Sequence, residues 1–403
     1  MKAWTVDLYG EWLILVSFCN FASLLHLGIP TFMSHALRGA YAKKDWQLYY
    51  SIQHSALVVL TLLSALGFVI FVVISQLSFA TWLHLNLMTQ HNATSVLLLL
   101  ASVTLLSLPT TLISGVYRSL GQLGRGQWWQ NALVITRALL TFVLLMQKQA
   151  PWTLAVSWLG ANMLFCGLML LDQKRRLPQF VAHYHKATLE SSTKLLLQGL
   201  AYFAATWGPL CVTEGTIIIL SMFGEAKTIA QFASMRTFCN LLLQGVAVVL
   251  AALAPEITNL YAQQQKQVLA LLFRKTFAYV LGASLVACVV MLSLGPWVLA
   301  TWLQKNITID SWLLLFLISY IFIQIISSVY NAFTITTFNH RAVNGYYVCT
   351  SIIGLVFGAL VLRFSNMYGF IMTLGIFEIV GLKFFLKPAV QMTFNGSQSQ
   401  NLV

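Results

Sequence analysis

Charge is what this sequence has least of. Only 8% of its 403 residues are Asp, Glu, Lys or Arg, while 59% are hydrophobic. Soluble domains carry about 25% charged residues, so this composition excludes a water-soluble globular protein. Acids are the scarcer sign, ten Asp and Glu in all. No stretch between apolar runs offers the paired carboxylates that a glycosyltransferase or polymerase needs, which leaves a membrane enzyme as a weak alternative. The six cysteines, Cys19, Cys166, Cys211, Cys239, Cys288 and Cys349, all lie in apolar runs and none is in C-x-x-C spacing. They read as small buried hydrophobes. His183 and His185 stand two apart without Cys or acidic ligands at metal spacing, so no metal site and no cofactor is expected. A basic segment leading into an apolar core, as a cleavable signal would have, is not seen around Lys2, Trp4, Asp7 and Glu11.

What is present in abundance is apolar sequence long enough to cross a bilayer, about 20 residues at a time. Eleven spans are expected, near 11–31, 52–76, 94–117, 131–147, 152–171, 195–223, 229–253, 276–299, 312–332, 344–363 and 367–388. The net charge of +13 would suggest nucleic acid in a soluble chain. Here the cations fall between spans and report topology instead, so no nucleic-acid partner is expected. With the 31–51 loop placed in the cytoplasm, 16 of the 23 Lys and Arg collect on that side, from Arg38, Lys43 and Lys44 to Lys383 and Lys387. Five, Lys2, Lys148, Lys227, Lys305 and Arg363, fall on the other. Positive charge prefers the cytoplasmic side. The N-terminus is therefore expected outside and the C-terminus inside, with outer loops too short for an external domain. Trp46, Tyr49, Tyr50, Trp82, Trp128, Trp129, Trp152, Trp297 and Trp302 are expected at the membrane interfaces.

The chain also repeats itself. Ala80-Thr81-Trp82-Leu83 recurs as Ala300-Thr301-Trp302-Leu303. Each copy follows a proline closing a span (Pro30, Pro255), a polar segment and a further span. Beyond each comes a related tetrapeptide, Ser114-Gly115-Val116-Tyr117 or Ser327-Ser328-Val329-Tyr330, and a basic turn with Arg125 or Arg341. Agreement in this order points to a parallel internal repeat. The expected organisation is an N-lobe at 1–171 with five spans, a basic linker at 172–194, a C-lobe at 195–388 with six spans, and a cytoplasmic tail at 389–403. Span 195–223 has no counterpart in the first half, so an additional span encoded upstream of Met1 is expected.

Three stretches carry a family resemblance. "DLYGEWLILVSFCNFASLLHLGIPTFMSHAL" pairs a Tyr-Gly-x-Trp start with a Leu-Gly-hydrophobic-Pro end. "VTEGTIIILSMFGEAKTIAQFASMRTF" runs from an acid through an apolar segment and a Gly turn to a small and aromatic stretch. "LAPEITNLYAQQQKQVLALLFRKT" follows as a cytoplasmic segment. Together they resemble the polysaccharide flippases of the MOP (multidrug/oligosaccharidyl-lipid/polysaccharide) superfamily, the Wzx-type O-antigen translocases above all. The resemblance implies an all-α, MATE-like fold of two lobes around a central cavity, and twelve or more helices. It implies movement of undecaprenyl-pyrophosphate-linked oligosaccharide across a bacterial inner membrane, without enzymatic activity. A proton or sodium ion for coupling, a polysaccharide polymerase or other assembly protein, and anionic lipid at the basic linker are the further partners this allows. A cation-coupled multidrug antiporter of the same fold is the chief alternative, and a non-transporting assembly scaffold a lesser one.

Charge at membrane depth is costly and generally faces a cavity or a partner. Arg137, Glu214, Arg236 and Glu378 are the four such residues. An arginine could meet a phosphate through its planar fork, and a glutamate could carry a coupling ion. Against this stands interhelical pairing that only fixes packing, and for Arg137 snorkelling toward the helix end. Glu214 and Arg236 fall at matching depth, within ~3 Å by helical rise, so they are expected to pair. Glu378 has no obvious partner. Gly208-Pro209 interrupts its span and Pro109 does so more weakly. Each is a candidate for a gating bend or for a static kink.

Overall fold

The computed structural model describes residues 4–176, 189–200, 203–224, 226–303, 310–336, 340–364 and 366–395. All regular structure among them is helical, and ten helical segments are long and apolar enough to cross a membrane. Two compact units result, Met1–Leu210 with Leu220–Ala226, and Cys211–Ile219 with Lys227–Val403.

In the first unit the helices are α1 (Val6–Asn20), α2 (Ile29–Ala42), α3 (Trp46–Gln76), α4 (Phe79–Trp82), α5 (Gln90–Ser119), α6 (Leu123–Met146), α7 (Pro151–Arg176), α8 (Leu189–Leu200) and α9 (Phe203–Leu210). Their starts follow from short polar side chains that accept from an otherwise unpaired amide. Thr5 accepts from Leu8 N at 3.2 Å, Asp45 from Leu48 N at 3.0 Å and Thr89 from Asn92 N at 3.4 Å. Helix α5 is central, packing against α2, α3, α6 and α7. Ile29, Met33, Leu37, Tyr49, Leu60, Val116 and Tyr117 form one buried cluster.

Beside that core lies a polar clamp. Arg125 grips Asp172 with both arms of its guanidinium, Nε to Oδ2 at 2.7 Å and Nη2 to Oδ1 at 2.6 Å, and Tyr117 donates to Oδ2 at 2.5 Å. At the other end Glu11, 1% exposed, accepts from three successive amides, Asn86 N and Leu87 N at 2.6 Å and Met88 N at 2.9 Å. The loop after α4 is thereby folded onto α1.

In the second unit a π-helical turn (Cys211–Gly215) leads into α10 (Thr216–Phe223), whose last residues belong to the first unit. Then come α11 (Ala226–Ala262), α12 (Lys266–Leu303), α13 (Ser311–Thr336) and α14 (His340–Tyr347). After a π-helical turn (Val348–Ile353) follow α15 (Gly354–Phe364) and α16 (Met367–Gly381), and after another (Leu382–Leu386) α17 (Lys387–Asn395). Helix α13 packs against α12 and α16, and α15 against α16.

Several expectations need correction. The span expected at 195–223 is helical over its described residues, with a π-helical turn inside it. Residues 189–200, 203–210 and 216–223 are helical, with a π-helical turn at Cys211–Gly215 between the last two, and residues 201 and 202 lie outside the described residues. Pro209 cannot donate the i to i−4 bond, and the widened turn begins two residues later. Among the described residues ten segments have the length of a membrane span, and Trp207–Phe223 is a shorter apolar helix beside them. Pro30 does not end α1. That helix stops at Asn20, a 3₁₀ turn runs to His26, and Leu27 and Gly28 turn the chain with φ of 49° and 73° before α2 starts with Pro30 in its first turn. Proline fits there because that N–H has no helical partner in any case. Position 255 ends no helix, since α11 continues to Ala262, but the membrane-length apolar segment of that helix does stop at Ala254. The two ATWL copies differ in setting. The first lies in its own short helix, whereas the second continues α12 as far as Leu303, the last residue described there. Tyr49 is fully buried with its hydroxyl 2.8 Å from Ser119 Oγ, and Trp129 packs edge-on against Phe165. Trp46, Trp82, Trp128, Trp152 and Trp297 are exposed. Most of the linker expected at 172–194, including His183 and His185, and the end of the tail lie outside the described residues.

Candidate functional site

Membrane-depth charge is gathered in two places, one in each unit. In the first, α1 with its 3₁₀ extension, α5, α6 and α7 enclose a cavity of about 320 Å³. Arg137 enters it from α6 and is the one charged residue among those lining it. Its guanidinium carbon stands 5.8 Å from the Trp158 ring centroid, inside the ~6 Å reach of a cation–π contact. Its Nε is buried with no hydrogen-bond partner. The side chain thus points into a pocket and is not paired with a carboxylate there.

The platform beneath it is fixed from behind. Trp158 Nε1 donates to Thr141 Oγ1 at 3.0 Å, and Thr141 donates to the Arg137 carbonyl one helical turn away at 2.7 Å. Trp12 meets Trp158 edge-on at 5.5 Å and Trp4 meets Trp12 at 5.7 Å, while Trp4 Nε1 donates to Gln149 O at 2.8 Å. The rest of the polar lining is neutral. Ser23 donates to Asn20 O at 2.7 Å, Thr104 to Leu100 O at 3.2 Å and Ser107 to Thr104 O at 2.5 Å. Pro109 lies in α5 just beyond Ser107 and is half-buried.

The second place is a buried polar network. Glu378 on α16 is 2% exposed and accepts from the Tyr346 hydroxyl of α14. The partner that sequence could not find for it is therefore this tyrosine. The Ser327 hydroxyl of α13 lies beside both groups. Asn331 Nδ2 donates to Tyr347 Oη at 2.7 Å and Gln324 Nε2 to Tyr320 Oη at 2.8 Å. Arg236 on α11 donates to the Thr213 carbonyl at 2.6 Å, one residue before Glu214, and stands 5.5 Å from the Phe232 ring centroid. Glu214 and Tyr320 are both within its electrostatic reach. Glu214 itself lies in the π-helical turn that follows Gly208-Pro209. Gly208 is buried, and next to it Trp207 Nε1 donates to Leu24 O at 2.9 Å.

Sequence reasoning missed Trp158, Ser23, Thr104 and Ser107 in the first place, and Tyr346, Tyr347, Tyr320, Ser327 and Asn331 in the second. Hydroxyls and amides recurring inside otherwise apolar helices were the available signal. Among the described residues no group of three or more His, Cys, Asp or Glu could hold a metal ion.

These features define a polytopic helical membrane protein with two bundles, each keeping polar groups at membrane depth. Its fold is that of the MATE transporters. An inward-facing multidrug resistance MATE family transporter of the MOP superfamily superposes with a TM-score of 0.70 at 12% identity, covering 98% of this chain and 96% of that one. The outward-facing conformation of such a transporter gives 0.67 at 11% identity, with 96% and 88% covered. A MOP superfamily transporter from Pyrococcus furiosus, described as having a binding pocket of reverse polarity that suggests a different function, gives 0.63 at 13% identity, with 95% and 88% covered. No protein-family model and no curated protein matches the sequence.

Proposed function

We propose that this chain translocates lipid-linked oligosaccharide, carried on undecaprenyl pyrophosphate, across a bacterial inner membrane for O-antigen or related surface polysaccharide assembly. The observation that carries this is the polarity of the first unit's pocket. Among the described residues its one charged lining residue is an arginine with a buried, unpaired N–H, and none of those lining it is a carboxylate. Such a lining suits phosphate and would repel a cationic drug. The MOP-like sequence stretches and the MATE fold agree with it. In this reading Arg137 and Arg236 meet anionic cargo, and Glu214 and Glu378 serve proton or sodium coupling. Pro109 and Gly208-Pro209 provide bends for alternating access. The N-terminus lies outside and the C-terminus in the cytoplasm, near the polymerase and other assembly proteins, with anionic lipid around the basic linker.

The multidrug antiporter is the second reading. Its support is the buried Glu378 among tyrosines, a setting that suits a coupling cation, together with the multidrug transporters of this fold. Reconstituted proteoliposomes separate the two. Translocation of fluorescent undecaprenyl-pyrophosphate oligosaccharide is expected, without efflux of a cationic dye. Dye efflux with no lipid translocation would overturn the proposal.

A further inference from the structure

Helix α11 of the second unit carries two primary amides near the middle of its membrane-length part. That part runs from Ala226 to Ala254, so Asn240 stands at the midpoint and Gln244 about 6 Å from it by helical rise. Spacings of three and four residues put Thr237, Asn240 and Gln244 on one face. Thr237 and Gln244 are exposed and Asn240 is half-buried. Among the described residues neither amide makes a hydrogen bond, while Thr237 spends its hydroxyl on the Ala233 carbonyl at 2.7 Å. An unpaired amide among lipid tails is costly, so this face must meet something polar. We propose that it is a contact strip for the sugars of the cargo, on which the Asn240 and Gln244 amides take sugar hydroxyls beside an opening at Gly245. The inference rests on the translocase reading and deepens it.

Three observations select this occupant. The strip is neutral. From Thr237 to Ala252 the helix has no charged residue, and Arg236, next to Thr237, donates to the Thr213 carbonyl at 2.6 Å. A carboxamide offers two N–H donors and an accepting oxygen, and a sugar hydroxyl likewise donates and accepts, so the two can exchange bonds in both directions. Phosphates only accept and cations bring no acceptor, and both pair more strongly with charged side chains. The strip also has room. Gly245 is exposed, and a Cβ added there would meet nothing within 4 Å. Glycine weakens a helix interior, and packing does not call for it here. A second copy of the chain fits the face poorly. Close pairing of membrane helices uses small residues four apart, but the positions four from Gly245 are Leu241 and Val249, 54% and 48% exposed. The opening is local, suited to the edge of a sugar ring and not to a second helix.

The test compares two fluorescent lipids, undecaprenyl pyrophosphate and the same lipid carrying N-acetylchitotriose. Translocation is measured in proteoliposomes of the full chain and binding in nanodiscs. The wild type is expected to prefer the sugar-bearing lipid in both. N240L/Q244L keeps side-chain bulk but removes the donors and acceptors, and should cut that preference by about tenfold. G245L keeps both amides and fills the opening, and should lower the preference as well. Size-exclusion profiles like that of the wild type, with melting temperatures at or above it, show that the variants are folded. An unchanged preference in folded N240L/Q244L would overturn the strip, as would equal handling of the two lipids by the wild type. A dimer seen by mass photometry of the wild type and lost in N240L/Q244L, with the sugar preference intact, would assign the face to contact between copies and overturn it too. The two readings fail separately. Translocation indifferent to the sugar removes the strip and keeps the translocase. Tighter binding of the sugar-bearing lipid that depends on Asn240 and Gln244, without any translocation, removes the translocase and keeps a sugar site.

Discussion

At the scale of single residues, the unusual feature is how few charges the bundles contain and how closely some of them are engaged. Glu11 is the clearest case, a carboxylate 1% exposed whose partners are three consecutive main-chain amides. Removing it strands those donors, and each buried unpaired donor costs about 1–3 kcal/mol. E11A should therefore destabilise the protein by about 1–3 kcal/mol, chiefly through the buried Met88 N–H, read as a marked fall in the apparent unfolding temperature in detergent. E11Q should fall between, since its amide oxygen still accepts while its NH₂ faces other donors. An E11A melt equal to that of the wild type would refute the account. The sequence makes charges such as Arg137 and Glu378 easy to single out, because each is an exception in an apolar run. It does not disclose their company. Tyr346 stands 32 residues from Glu378 and Trp158 is on a different helix from Arg137. Which helix faces which is a tertiary matter that no local period records.

At the scale of elements, helix ends proved harder to read than helix interiors. A proline looks alike in sequence whether it closes a helix, opens one as Pro30 does, or sits inside one as Pro109 and Pro209 do. The outcome depends on whether its missing N–H was needed. The π-helical turns have no compositional mark at all. Close helix packing around them, however, makes a definite demand. A Cβ at Gly381 would stand 2.9 Å from both Thr350 Cγ2 and Tyr346 Cδ2. The Tyr346 ring is buried and tied to Glu378, so it cannot swing aside freely. G381A should cost about 1–3 kcal/mol from overpacking and should also disturb the Tyr346–Glu378 contact. Differential thermal melts of G381A and of G381A with Y346F test this. The second substitution leaves the ring in place, so the loss should persist, and its absence would count against the packing argument.

For the whole molecule, membrane character and helical class were legible from composition alone, because nothing soluble can be made from so little charge. The repeat was legible only in part. Val116 and Val329 are both buried, while the two ATWL copies have different settings, one in a short helix of its own and one within α12. The proposed orientation gives a direct test. In a variant lacking the six native cysteines, a cysteine replacing the exposed Lys148 should react with a membrane-impermeant maleimide in intact cells. One replacing the exposed Gln122 should react only after permeabilisation. The reverse pattern would invert the topology.

Helix α12 has a consequence that concerns the thickness of the bilayer. It is continuous over 38 residues, about 57 Å by helical rise, while the hydrocarbon layer measures about 30 Å. A typical tilt near 20° shortens the difference only slightly, so roughly half the rod must stand clear of the lipid tails. Lys266, Arg274 and Lys275 all lie toward its first end, which marks that end as the projecting one. Any rocking of the embedded part is then carried to the projecting end as by a lever, and lipid chain length sets how much of the rod emerges.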